Sequence, residues 1–122
     1  LCNVLFTYEL AHRLEGTGVT ANALHPGLVA TSFLKNNGSF GGFLNFLLGI
    51  RGISEEAGAM TTVYAVSSPE MEGVTGKYLV KKQVVNSSKR SYDESKAAGL
   101  WELSASLTGI PVETRFPALA LR

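Results

Sequence analysis

Asn22-Ala23-Leu24-His25-Pro26-Gly27-Leu28-Val29-Ala30-Thr31 is the stretch that decides how this chain folds. A short β-compatible run, Val19 to Leu24, leads into a Pro-Gly break, and a hydroxyl residue, Thr31, follows closely. A strand entered from a helix and left through Pro-Gly suits a parallel sheet buried on both faces. In open α/β sheets, ligands lie in the crevice outside the carboxyl ends of the strands. A glycine there lets bare backbone approach a ligand, and a threonine can add a hydroxyl hydrogen bond. The expectation is that residues 26–31 form one lip of a ligand crevice.

Upstream, Leu1 to Leu14 has helical periodicity, with Leu1, Val4, Leu5, Tyr8, Ala11 and Leu14 on one face and Gly16 and Gly18 ending it. No capping residue precedes Leu1, so the helix is expected to have been cut at its start. Downstream, residues 32–53 are the least regular part, with an Asn36-Asn37-Gly38 turn and a brief helical stripe from Phe40 to Leu48. Ser54 is expected to cap a helix reaching about Val66, with Ala57, Met60, Thr61 and Tyr64 inward. Lys77 to Lys81 is expected as a second strand, and Val84-Val85 either extends it or starts another. Ser91-x-x-Glu94 has the spacing of a capping box for a last helix from about Tyr92 to Leu107. Ala97, Leu100, Trp101, Ser104 and Leu107 are its expected core face, and Gly109 and Pro111 stop it. Two strands cannot make a stable sheet alone, so the pattern is that of half a doubly wound domain.

Composition narrows the class. Hydrophobic residues make up 45% of the 122 and charged residues 17%, the balance of a globular domain. The formal net charge of +1 gives no basic surface for nucleic acid. The single cysteine, Cys2, cannot form an internal disulfide, which makes a reducing compartment the default. His12, His25 and Cys2 lack metal-ligand spacing. No signal peptide is visible, and Phe40 to Ile50 falls short of the ~20 residues of a spanning helix, though it could lie against a membrane.

Five stretches in order resemble the C-terminal part of the short-chain dehydrogenase/reductase family, closest to its retinol-dehydrogenase-like branch. They are Leu1 to Ala11, Gly18 to Thr31, Gly58-Ala59 with Tyr64-Ala65, Val74 to Leu79, and Leu100 to Ser104 with Leu107-Thr108-Gly109. The resemblance covers residues 1–110 and leaves 111–122 as a tail. It implies an α/β fold, the C-terminal part of a truncated Rossmann-like, doubly wound parallel sheet that binds NADP or NAD. It implies hydride transfer between the nicotinamide and an apolar alcohol, aldehyde or ketone. The cofactor-binding residues it implies are Pro26, Gly27, Leu28, Val29 and Thr31, with the backbone at Val29 pairing with the carboxamide. The family's catalytic Tyr, Lys and Ser have no counterpart at the matching positions, because the register puts the Lys just before Leu1. No catalytic residue is therefore assigned in this segment. No glycine-rich phosphate loop occurs either.

Each candidate has a plainer reading. Pro-Gly alone would favour an ordinary strand-to-helix turn with a capping Thr31; the surrounding register favours the cofactor lip. Tyr92-x-x-Ser95-Lys96 spells the family's catalytic pattern, and an ammonium beside a phenol would acidify it. It falls too late in the element order and is expected to be a solvated helix start. His25 is expected to pack at the strand end, His12 to sit at the surface, and Asn22 to be structural, since a polar group in a buried strand needs partners. Phe33, Leu34, Phe40, Phe43, Leu44, Phe46, Leu47 and Leu48 lie where the family has its variable substrate lid; a small amphipathic helix packed on the core is the equal alternative. A homodimer through the first helix and peripheral membrane contact stay open. The expected location is cytoplasmic, with membrane association allowed. Rival functions are a non-catalytic truncated module with an interaction or regulatory role, or a relative acting on steroids, sugars or chlorophyll precursors. Alone, the segment is expected to be inactive and to expose a strand edge.

Overall fold

The computed structural model describes residues 1–27 and 54–111. The expected apolar stripe at 40–48 and the tail beyond 111 lie outside them. Helix α1 spans Cys2–Arg13. After it, Gly16 and Gly18 take positive φ (75° and 77°), the conformation for which glycine is suited. Between them Thr17 is buried; its hydroxyl donates to the Leu14 carbonyl at 2.6 Å and accepts from the Val19 amide at 3.1 Å. That local bonding turns the chain into strand β1, Ala23–His25.

Helix α2, Glu55–Ser67, begins at the expected cap: the Ser54 hydroxyl accepts from the Ala57 amide at 3.1 Å. Pro69 follows it and opens a single 3-10 turn, Pro69–Met71. Strand β2, Tyr78–Val80, pairs parallel with β1, with Ala23 opposite Tyr78, Leu24 opposite Leu79 and His25 opposite Val80. Strand β3, Gln83–Val85, then doubles back antiparallel on β2. The sheet is mixed, in the order β1-β2-β3, and Val84-Val85 belongs to a separate strand. The turn between β2 and β3 is made by Lys81 and Lys82, both with positive φ (51° and 64°). That geometry matches the right-handed twist of a hairpin but is usually filled by Asn-Gly.

Helix α3, Glu94–Thr108, ends as expected at Gly109, whose φ is 70°. Its start differs from the sequence pattern. Ser91 lies inside a 3-10 turn, Lys89–Tyr92, and its hydroxyl donates to the Ser88 carbonyl at 2.6 Å. It is therefore committed away from the helix, and the Asp93 carboxylate caps by accepting from the Lys96 amide at 3.1 Å.

The core lies around Leu79, in the middle strand, which is 0% exposed. Burying such a side chain stabilises by about 1.5–3 kcal/mol. Helices α1 and α3 pack together through Leu5, Ala11, Ala97, Trp101 and Ala105, all buried. The Trp101 ring stacks on Phe6 with centroids 5.1 Å apart, and the Arg13 guanidinium carbon sits 4.6 Å from its centroid. Arg13 is held by the Glu9 carboxylate at 2.7 Å. Two expected inward residues face out: Met60 is 51% exposed and Leu107 78%. Thr61 is buried as expected, and the buried positions of α3 are Ala97, Trp101 and Ala105.

Candidate functional site

Strand β1 delivers the Pro-Gly break to the carboxyl end of the parallel β1–β2 pair. Gly27 has φ 89°, a conformation that residues with a Cβ rarely adopt. Pro26 is exposed and Gly27 half-buried. The Pro-Gly break therefore leaves the carboxyl end of the strand partly open to solvent. Leu28, Val29 and Thr31 lie outside the described residues. His25, expected to pack, is exposed: it is the last residue of a strand at the sheet edge. His12 is exposed as expected, 3.3 Å from the Glu15 carboxylate.

Polar side chains tie the start of β1 to the turn that enters β2. The Asn22 amide nitrogen donates to the Val74 carbonyl at 2.7 Å, and its oxygen accepts from the Lys77 amide at 2.9 Å. The Thr75 hydroxyl accepts from the Ala21 amide at 3.0 Å and faces the Ala21 carbonyl at 3.4 Å. Two main-chain bonds join them: Gly76 amide to Ala21 carbonyl at 2.8 Å, and Ala23 amide to Lys77 carbonyl at 2.9 Å. Asn22 is structural, as expected. Thr75 was missed in the sequence; its only signal there was a hydroxyl one residue before the glycine that leads into the strand.

Tyr92 and Lys96 are each engaged with other partners. The Lys96 ammonium contacts the Asp93 carboxylate and, with the Lys96 amide, holds it below the usual carboxylate range. The Tyr92 oxygen accepts from the Ser87 amide at 3.1 Å. Ser87, through its side chain and then its backbone, favours the phenolate and lowers the Tyr92 pKa from its ordinary value. The ring stacks on Tyr8 at 5.5 Å. Tyr8 hydrogen-bonds to the Ser87 hydroxyl at 2.7 Å, and Ser87 continues to Ser91 at 2.6 Å. Burial outweighs that bond and pushes the Tyr8 phenol up. Tyr8, Ser91, Tyr92 and Asp93 line a cleft of about 570 Å³ between α1 and the start of α3. Thr75 and Gly76 also line it, so it opens at the amino end of β2, away from the lip.

Among the described residues, no group of three His, Cys, Asp or Glu could hold a metal ion. No described helix is long and apolar enough to cross a membrane.

Strand, Pro-Gly lip and parallel neighbour define the edge of a Rossmann-like α/β sheet. No protein-family model matches the chain. Its curated relatives are informative. It is 38% identical over 120 residues to retinol dehydrogenase 14 of Homo sapiens, covering 90% of this chain and 34% of the relative. Polyprenol dehydrogenase of Homo sapiens is 37% identical over 113 residues, covering 90% and 34%. A WW domain-containing oxidoreductase of Gallus gallus is 37% identical over 117 residues, covering 96% and 28%. The chain belongs to the retinol-dehydrogenase-like branch of the short-chain dehydrogenase/reductases. It spans about a third of the length of these relatives.

Proposed function

We propose that the full-length protein carrying this chain is an NAD(P)-dependent oxidoreductase acting on an apolar alcohol, aldehyde or ketone. The observation that carries this reading is Gly27 at φ 89°, at the carboxyl end of a parallel strand, in a chain related to dehydrogenases over nine-tenths of its length. Names of relatives specify retinol and polyprenol, both long apolar alcohols, which supports that substrate class.

The residues present fit a nicotinamide nucleotide. Pro26 and Gly27 offer exposed and half-exposed backbone at the strand end, and Leu28, Val29 and Thr31 continue the lip in sequence. Their part is to bind and orient the nicotinamide edge, the Thr31 hydroxyl adding a hydrogen bond. The bound nicotinamide supplies or takes the hydride. No proton-transfer role is assigned to Tyr92 or to any other residue of this segment.

The test is nicotinamide fluorescence. Full-length protein should enhance or quench NADPH or NADH emission saturably and oxidise a long-chain alcohol. Gly27→Val, which disfavours positive φ, should weaken nucleotide binding about tenfold or more. Equal binding by wild type and Gly27→Val would remove the lip from the cofactor site.

A further inference from the structure

Strand β1 has three residues and its pairing with β2 covers three positions. So short a ladder specifies register weakly, and a slip of one residue would turn every β1 side chain to the other face. The chain adds side-chain bonds at the amino end of the pair. Asn22 reaches both the Val74 carbonyl (2.7 Å) and the Lys77 amide (2.9 Å), so its two amide atoms span the turn that enters β2. Thr75 returns a hydroxyl to the Ala21 main chain from the opposite side. Gly76, at φ 64°, lies between them, and a Cβ added there would stand 3.5 Å from the Ala11 side chain. Helix α1, β1 and β2 therefore converge on residues 21–22 and 74–77.

We propose that Asn22 and Thr75 are positioning residues for the nicotinamide lip, setting the height of Pro26 and Gly27 relative to β2 through the register of β1. This rests on the cofactor reading of the lip given above. Neither side chain touches the lip. Each acts through the strand, because Asn22 lies four residues before Pro26 in an extended segment that cannot shift without carrying the lip with it. Asn22 is suited to the task because one planar amide both donates and accepts. Aspartate in its place would keep the bond from Lys77 and lose the one to Val74. Thr75 is suited because its hydroxyl can accept and donate on the same neighbour.

The experiment uses full-length protein, titrated with NADPH and with NADH by nicotinamide fluorescence, with Tm recorded for each variant. Thr75→Val keeps the shape and removes the hydroxyl; Thr75→Ser restores it. The expected result is a Kd raised about tenfold in Thr75→Val, returned to within about twofold of wild type in Thr75→Ser, with Asn22→Asp raised similarly. A lower Tm with unchanged Kd in folded Thr75→Val overturns the proposal, leaving a purely structural clamp. If Asn22→Asp does not fold, the Thr75 pair decides. Failure of the unsubstituted protein to bind either nucleotide is a different result: it overturns the cofactor reading, and the positioning role with it.

Discussion

The rings of Tyr8 and Tyr92 stack 5.5 Å apart and 22° from parallel, and both phenol oxygens meet Ser87. One is pushed up by burial and the other held down by hydrogen bonds it accepts. An acid whose folded pKa is raised contributes stability below its unfolded value, and that contribution is lost as pH rises through the folded pKa. Tyr8 follows this rule, and Tyr92 the reverse. Tyr92 is the more exposed, so its share is screened and Tyr8 governs the sign. Stability should therefore fall above pH about 10, and Tyr8→Phe should flatten that limb in chemical denaturation across the alkaline range. A limb unchanged in Tyr8→Phe would assign it elsewhere.

Trp101 is 92% buried between Phe6 and Arg13, and its indole nitrogen has no hydrogen-bond partner among the described residues. Trp101→Ala should cost about 3–5 kcal/mol, the range for emptying an aromatic site. Trp101→Phe should cost far less, since it keeps the stacking ring and removes an unpaired donor. Equal losses in the two, measured by urea denaturation, would point to a hydrogen bond at the indole nitrogen.

At the hairpin tip, Lys81 and Lys82 hold φ of 51° and 64°. Asn and Gly adopt this turn with less strain. The double substitution Lys81→Asn, Lys82→Gly should raise Tm, by an amount equivalent to about 1 kcal/mol. A lower Tm would show that the lysines make contacts worth more than their strain.

Two proposals concern residues outside the described part. Thr31→Ala should raise cofactor Kd and KM in the full-length enzyme; unchanged values would deny the hydroxyl a role. Deleting Phe40 to Leu48 should raise KM for long apolar alcohols far more than for short ones. A uniform change would argue for a packing helix in place of a lid.

Local rules carried much of the fold. Gly16 and Gly109 end helices, Ser54 caps one, and Pro26-Gly27 follows a strand, because each of these residues acts on its own backbone. The failures share a cause. Ser91 has the spacing of a cap, but its hydroxyl finds the Ser88 carbonyl first, and Asp93 takes over. Met60 and Leu107 fit an apolar stripe, yet which stripe is buried depends on the neighbouring elements. Val84-Val85 could be read either as an extension of β2 or as a separate strand, because Lys81-Lys82 carries no turn signal to decide between them. Within the site, Asn22 could be read as a buried polar group in need of partners. The role of Thr75 depends on a strand 54 residues away, and no local pattern records that separation.

Across the sheet, Leu24, Leu79 and Val84 share one row: Leu79 is sealed at the centre and Val84, in the hairpin, is 52% exposed. Protection therefore declines outward from β2 toward β3. Thermal openings should begin at the hairpin and stop at the middle strand. The strand bearing the Pro-Gly lip lies on the far side of that barrier, shielded from the breathing of the sheet's antiparallel edge.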